Sequence, residues 1–337
     1  MRGFRKTTIG SAILLLLLIA SLLYPLYGPA DFDKKGLIIN EAGKVIGRAP
    51  FPPSSEHIFG TDRNGQDLLL LLLYGAKFTL ITAIGVAFLR VIIGGLLGVF
   101  ISLWAPWLKK YVNDLFIVFR FVPATFLGIV LMLPVMAHVE RPLSTIVTYQ
   151  VLMLILLGIP SVLVFTTDLI EELKTKSFIT TSLLMGAGKF HILKRHLFPY
   201  FRSYGILFTV QQLLTTLQVT MHFGIFGLYL GGQTIGGIVG YDDPPPKQAS
   251  MSNEWAGLIG QSLYDFIQYP WTISFTILGF FVIIQIVNMI KKELEENIAG
   301  ISYVKQKKTL VQTSVRKTGN QAPEQFIFVK EKKSLGS

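Results

Sequence analysis

Four polar side chains recur at helical spacing inside one long apolar segment. They form what we call the polar stripe: Gln211, Thr215, Gln218 and His222, at steps of four, three and four residues. This spacing places them on one face of a helix. Amide, hydroxyl and imidazole groups exchange hydrogen bonds with polar solutes, whereas hydrocarbon leaves such groups unsatisfied. The stripe therefore predicts a face turned toward protein or water, either the wall of a translocation path or a helix–helix contact.

A single arginine lies near the middle of another apolar segment. Arg90 would cost roughly 2.5–3.5 kcal/mol at the centre of a bilayer, so it must face a cavity, a carboxylate or carbonyl groups. Two hypotheses stay open: it faces the path and meets the carboxylate of a passing solute, or it forms a structural pair within or between subunits. Gly94, Gly95 and Gly98 follow it. Small residues at such spacings indicate close helix packing rather than a hinge.

The sequence lacks the motifs of the common catalytic and metal sites. It contains no Gly-x-x-x-x-Gly-Lys-Ser/Thr phosphate loop, no His-Glu-x-x-His motif and no cysteine. The five histidines are scattered along the chain: His57, His138, His191, His196 and His222. We therefore expect a non-catalytic subunit without cofactor or metal, whose energy comes from a separate ATPase.

Composition and the length of the apolar blocks indicate the class of fold. The 337 residues are 51% hydrophobic and 15% charged, with a mean hydropathy of +0.53. The apolar blocks run to roughly 20 residues, enough for a helix to cross about 30 Å of hydrocarbon. This pattern predicts an all-α polytopic membrane protein. The net charge of +11 resides in the segments between blocks and in the tail, which indicates topology and anionic lipid rather than nucleic acid.

Six spans are predicted, at residues 9–27, 78–104, 121–139, 143–169, 203–230 and 270–290. The first could be a cleaved signal peptide, but Pro29 beside the potential cleavage site and the five later spans favour a retained anchor. Basic residues precede the first span: Arg2, Arg5 and Lys6. The positive-inside rule then places both termini in the cytoplasm.

These spans divide the chain into four parts. Residues 1–27 are the N-terminus and first span, and residues 28–74 form an extracytoplasmic loop. Residues 75–292 hold the other five spans, and residues 293–337 form a basic tail that we expect to be mobile and cytoplasmic. The segment from Gly231 to about Gln268 is predicted as a second outside loop.

A polar, basic segment, which we call the 171–200 loop, connects the fourth and fifth spans. It holds two helix-compatible pieces separated by Gly186-Ala187-Gly188, and Pro199 is expected to break the second piece. Such a compact knob could dock into a groove on a soluble partner. The alternative is an interfacial helix whose lysines hold it on lipid headgroups.

The spacing within this loop resembles the signature of inner-membrane permeases in binding-protein-dependent ABC importers. That signature is a Glu-Ala-Ala triplet, a glycine four residues after the second alanine, and Ile-x-Leu-Pro ten to thirteen residues later. The corresponding residues here are Thr180, Thr181, Ser182, Gly186, His196, Phe198 and Pro199. The spacing is kept, although the triplet has lost its Glu and both Ala, and Ile and Leu have become His and Phe. The resemblance implies that these residues couple the chain to an ATPase.

Two further segments narrow the resemblance. Residues 57–67, HIFGTDRNGQD, with residues 73–77, LYGAK, resemble the segment before the second span in C-type permeases of dipeptide and oligopeptide importers. The family usually has Gly-Arg-Asp where this chain has Gly65-Gln66-Asp67. Residues 253–257, NEWAG, resemble more loosely a short element before the last span. The resemblance extends over about residues 5–295.

The resemblance implies a type I ABC importer permease fold with six transmembrane helices in a bacterial inner membrane. It implies a homologous B-type permease, two cytoplasmic ATPases and an extracytoplasmic solute-binding protein as partners, and peptides as cargo carried along a path lined by the stripe and Arg90. The same machine could instead import a metal chelate, such as nickel with a small chelator. An ion-coupled carrier would call for paired acidic residues at midplane, and a membrane-anchored signalling scaffold would function without an ATPase.

Overall fold

A computed structural model of the protein describes residues 4–34, 37–39, 45–136, 142–235, 248–250 and 252–318. Parts of several predicted segments lie outside these ranges: residues 1–3 with Arg2, parts of the first outside loop (35–36 and 40–44), the end of the third span with His138 (137–139), parts of the second outside loop (236–247 and 251) and the end of the tail (319–337). The chain divides into a large unit, residues 1–294, and a small one, residues 295–337.

Helices make up most of the described chain. They are α1 (Arg5–Tyr27), α2 (Leu68–Trp104), α3 (Leu108–Phe121), α4 (Ala124–Met136), α5 (Leu143–Lys174), α6 (Ser177–Leu184), α7 (Lys189–His191), α8 (Phe198–Ile225), α9 (Trp255–Ser262) and α10 (Trp271–Thr318). Two antiparallel hairpins are formed by β1 (Leu37–Ile39) with β2 (Val45–Arg48) and β3 (Gln233–Ile235) with β4 (Gln248–Ser250). The strands are short, so the membrane part of the protein is helical.

Four of the described helices are long and apolar enough to cross a membrane. These segments are Arg5–Tyr27, Leu68–Trp104, Ser144–Lys174 and Trp271–Ile298. They support the predicted all-α membrane fold. The count of six spans stays a prediction, because α4 has only 13 residues and α8, which carries the polar stripe, is not among the four.

Two helices begin earlier than the sequence predicted. α2 starts at Leu68 rather than near residue 78, because the Asp67 carboxylate caps it by accepting hydrogen bonds from the amides of Leu69 (2.8 Å) and Leu70 (3.1 Å). α8 starts at Phe198, and the expected break at Pro199 is not seen. The proline lies in the first turn of α8, where a helix needs no amide donor, and a π-helical turn precedes it.

α9 is a correction to the predicted second outside loop. All of its residues are buried, and it packs against α2 and α8. The Trp255 indole donates to the carbonyl of Leu72 (2.7 Å), and its backbone amide donates to Thr79 Oγ1 (3.1 Å). The predicted loop is therefore wrong for residues 255–262, where a capped apolar helix lies inside the bundle.

Glycines bring α2 and α5 into close contact. A Cβ atom at Gly94 would lie 2.8 Å from Val162 Cβ, and one at Gly98 would lie 2.7 Å from Thr166 Cβ. A Cβ atom at Gly95 would meet nothing within 4 Å. The packing hypothesis therefore holds at two of the three glycines that follow Arg90.

Gly94→Ala should lower the thermal stability of the purified chain, whereas Gly95→Ala should not. Both changes raise helix propensity equally, but only the first forces a methyl group against Val162, which costs about 1–3 kcal/mol by overpacking. Fluorescence-monitored unfolding in detergent micelles measures the difference. Equal shifts for the two variants would contradict the close α2–α5 contact.

Candidate functional site

The 171–200 loop is a folded unit with its own apolar interior. Ile179 of α6 and Ile192 and Leu197 of the π-helical turn are buried against Ile170 and Leu173 near the end of α5. Gly186 has a φ of +84°, a left-handed conformation that glycine adopts without a Cβ clash. The two arms predicted on either side of this glycine are therefore present, and their inner face packs on the ends of α2 and α5.

A hydrogen bond joins the two arms at positions where the family signature is altered. Ser182 Oγ lies 3.0 Å from His196 Nε2, and the rings of Phe178 and His196 lie 5.8 Å apart. Thr180 and Thr181 are exposed. The sequence shows that Ser182 and His196 depart from the family signature. It does not show that they contact each other, because the spacing of the signature does not specify how the two arms fold.

The tip of the loop exposes large apolar side chains, which we call the apolar tip. It consists of Leu183, Leu184, Met185 and Phe190, which are exposed by 47%, 84%, 77% and 69%. Phe198 and Pro199 are also exposed. Exposed apolar side chains on one loop form a surface that a partner protein or lipid could cover. Sequence reasoning missed the apolar tip, although Leu-Leu-Met directly before Gly186 was a readable signal.

Polar contacts fasten the base of the loop to the neighbouring helices. Lys109 of α3 forms ion pairs with Glu171 and, at 3.5 Å, with Asp168. Lys174 Nζ donates to the carbonyl of Ser102 at the end of α2 (2.6 Å). The loop is thus attached to α2, α3 and α5 together.

Arg90 is buried inside this chain, with 1% of its surface exposed. Its guanidinium donates to the carbonyl of Leu154 (Nε, 2.9 Å) on α5, and to Thr216 Oγ1 (3.0 Å) and Gln212 Oε1 (3.3 Å) on α8. The acceptors are neutral groups of the same chain, one of them a main-chain carbonyl. These contacts favour the structural hypothesis for Arg90, and its predicted contact with cargo stays a prediction.

The predicted polar stripe lies beside the face that binds Arg90. Gln211 and Thr215 are half-buried, and Gln218 and His222 are exposed, with His222 Nδ1 lying 3.3 Å from Thr125 Oγ1. Arg90 instead meets the adjacent residues Gln212 and Thr216. The five residues predicted to line a path therefore lie in two environments. Arg90 lies inside the chain, whereas the polar stripe lies on a face that a partner could contact.

The segment at residues 57–67 forms a compact polar turn ahead of α2. His57 Nδ1 lies 2.9 Å from Asp67 Oδ2. The Oδ1 atom of Asp62 accepts from the amides of Asn64 (2.9 Å) and Gln66 (2.8 Å). Burial raises the pKa of Asp62 to about 6, although these hydrogen bonds act to lower it. The motif therefore shapes the entry to α2.

Within the described residues, no group of three or more His, Cys, Asp or Glu side chains is placed to hold a metal ion.

The long apolar helices indicate a multi-pass membrane protein. No family model matches the chain. A protein named as a peptide permease in Brucella abortus biovar 1 is 29% identical over 271 residues, covering 79% of this chain and 78% of the relative. A protein named as a peptide transport system permease in Brucella suis biovar 1 is 26% identical over 224 residues, covering 66% and 67%.

The oligopeptide transport system permease protein OppC of Bacillus subtilis is 21% identical over 274 residues, covering 81% of this chain and 78% of the relative. These similarities extend over most of the chain. They confirm the resemblance to permeases of peptide transport systems that the sequence motifs predicted.

Arg90→Met and Gln212→Leu should each destabilise the chain by about 1–3 kcal/mol, because each leaves buried polar partners unsatisfied. The double variant should lose less than the sum of the two, since both partners of the contact are then gone. Unfolding in micelles measures all three variants, with Gln218→Met on the exposed side of α8 as the control. Additivity within about 0.5 kcal/mol would contradict the contact.

Asp62→Asn should raise the unfolding temperature at pH 8, less at pH 4.5, and not at pH 3, below the unfolded pKa of about 4. The native pKa of about 6 lies above the unfolded value, so the native state binds the proton more tightly and loses stability as pH rises through 6. Asparagine keeps the Oδ1 acceptor and removes the buried charge. We expect a gain on the order of 1 kcal/mol, or about 2–4 °C.

The matched control is Asp265→Asn, because Asp265 forms an ion pair with Arg63. That change should lower stability at pH 8, opposite in sign to Asp62→Asn. A loss of stability at pH 8 in Asp62→Asn would show that the Asp62 charge is stabilising.

Proposed function

We propose that this chain is the transmembrane permease subunit of an ATP-driven ABC importer, forming half of the translocation path for peptides. The names of the relatives supply the cargo and the kind of machine. The observation that carries the proposal is the apolar tip, held on a loop whose inner face packs on the ends of α2 and α5.

The coupling step follows from how the loop is mounted. A cytoplasmic ATPase would bury Leu184 and Met185, whose exposure in the isolated chain is otherwise unfavourable. The loop packs on α5 through Ile170 and Leu173, and its base is ion-paired to α3 through Lys109. A displacement of the tip would therefore act on these helices together rather than bend a free loop.

The proposal includes six spans with both termini in the cytoplasm. Arg5 and Lys6 at the start of α1, and Lys109 and Lys110 in α3, lie at the same end as the basic 171–200 loop if the spans alternate. This arrangement satisfies the positive-inside rule. The extracytoplasmic end would then hold the turn at residues 57–67, where a solute-binding protein could dock.

The path would form between this subunit and a homologous B-type permease. The polar stripe is half-buried or exposed on the isolated chain, which is where a polar face must lie to meet a partner or a water-filled path. Arg90 would stabilise α8, which forms the wall of this path, by hydrogen bonding to Gln212 and Thr216 on its inner face. The metal-chelate alternative stays a prediction.

Leu184→Asp combined with Met185→Asp should abolish capture of the ATPase subunits. The two carboxylates would have to be desolvated in the proposed apolar interface, which costs several kcal/mol. The measurement is co-purification of the ATPases with the full-length chain expressed together with its candidate partner subunits. We expect at least a tenfold loss at unchanged abundance of the permease.

Ile267→Asp is the matched control, because Ile267 is 92% exposed and lies in the turn before α10, away from the loop. It should leave co-purification unchanged. Full retention of the ATPases and of ATP-driven uptake by the 184/185 variant would overturn the coupling assignment.

A further inference from the structure

A cavity of about 30 Å³ opens among α2, α4, α5, α8 and the start of α9. This volume accommodates a water-sized group, which is the size of an ammonium group. Polar and apolar side chains share its lining, chiefly Thr82, Gln150, Thr220, Glu254, Met132 and Phe223. Neither Arg90 nor any residue of the polar stripe lines it.

Glu254 supplies a carboxylate to this cavity. The side chain is 3% exposed and caps α9, with Oε2 accepting from the amide of Ala256 (2.8 Å). Its Oε1 accepts from the amides of Gly257 (2.8 Å) and Leu230 (3.2 Å). A carboxylate has about four acceptor positions, so one remains for a further donor. No ion pair involves Glu254 in the part of the chain that the structure describes.

Two other polar side chains of the cavity wall donate to the main chain. Thr220 Oγ donates to the carbonyl of Thr216 (3.0 Å), which leaves its lone pairs as acceptors. The Gln150 amide is fixed on both sides, donating to the carbonyl of Tyr229 (2.7 Å) and accepting from the amide of Gly231 (2.8 Å). The wall therefore offers a negative charge and hydroxyl acceptors in fixed positions.

We propose that this cavity binds a positively charged amino group, with Glu254 as its counter-ion and Thr220 as a neutral acceptor. A primary ammonium group has three donors and no acceptor, which complements such a wall. Calcium would need six to eight oxygen ligands, and the cavity offers one carboxylate. The inference rests on the proposed function for the ligand class, which is a peptide with a free N-terminal ammonium group.

The titration of the site supports this complementarity. Burial raises the pKa of Glu254 to about 7, against the lowering effect of its three backbone hydrogen bonds. It is the one titratable side chain among the residues that line the cavity. An α-amino group has a pKa of about 8, so both charges coexist near pH 7.5.

The test measures binding to the full-length chain in lipid nanodiscs, without ATPases. The probes are trialanine amide and N-acetyl-trialanine amide, which differ in the ammonium group and share a neutral carboxyl end. Isothermal titration calorimetry at pH 7.5 should show at least tenfold tighter binding of the free amine. Glu254→Gln should remove that preference without weakening the acetylated probe. Equal affinities of the wild type for the two probes would overturn the inference.

Glu254→Asp is the matched variant, because it keeps the charge and an N-cap acceptor; it should retain at least part of the preference. If Glu254→Gln unfolds, the wild type at pH 5.5 replaces it, since the carboxyl is then protonated while the amine stays charged. Loss of the preference at pH 5.5 supports the site. A preference unchanged at pH 5.5 contradicts it.

Uptake by the whole importer in proteoliposomes separates this inference from the proposed function. Peptide uptake in a system whose permease shows no preference for the free amine would overturn the inference and support the function. A preference for the free amine without ATP-driven peptide uptake would support the cavity as an amine site and contradict the peptide-import proposal.

Discussion

The arrangement of the central helices depends on how one guanidinium group is satisfied in a medium without water. Arg90 reaches the carbonyl of Leu154 because Gly158, one turn further along α5, has no side chain. A Cβ atom at Gly158 would lie 2.1 Å from Arg90 Nε. The remaining donors reach Gln212 and Thr216 on α8. One side chain on α2 thus fixes the relative position of α5 and α8, since any shift would leave a buried cation without acceptors.

The same contacts connect to the cavity. Leu154 binds Arg90 through its carbonyl and contributes its side chain to the cavity wall. Thr216 accepts from Arg90, and its own carbonyl accepts from the hydroxyl of Thr220, which also lines the cavity. The contacts of Arg90 therefore help to determine the shape of the cavity, because residues of α5 and α8 take part in both.

Hydropathy was enough to predict the long apolar helices, since a membrane crossing needs a length that few other segments reach. It could not choose between neighbouring faces of α8. Gln212, Thr216 and Thr220 repeat at steps of four, and the first two of them directly follow residues of the predicted stripe. The sequence did offer one indication that Gln212 and Thr216 face the inside of the chain. A buried Arg90 needs hydrogen-bond acceptors, and these two side chains can supply them. Helical periodicity identifies a face but not the neighbour that it meets.

Other features depended on single tertiary contacts. The start of α2 is fixed by the Asp67 cap, which moves the boundary by ten residues, to the beginning of the leucine run at residues 68–73. The burial of α9 depends on its packing against Leu72 and Thr79, far away in sequence. The spacing of the 171–200 loop was predictable from the family signature, but the exposure of its tip and the Ser182–His196 contact were not, because both depend on how two short arms fold on each other.

Helix α5 connects the 171–200 loop at one end to the cavity at the other. At residues 170 and 173 it supports the 171–200 loop, and at Gln150 it holds the wall of the cavity, about 30 Å away along the helix. Pro160 lies between them and removes one helical hydrogen bond, which makes this segment the natural place for α5 to bend. Arg90 and Gln212 brace it on both sides, through Leu154 and through Ser161 Oγ (3.2 Å). If movement of the 171–200 loop is transmitted along α5 to the cavity, it must be transmitted through the segment around Pro160. The contacts of Arg90 with this segment therefore determine how rigidly the two ends of α5 are connected.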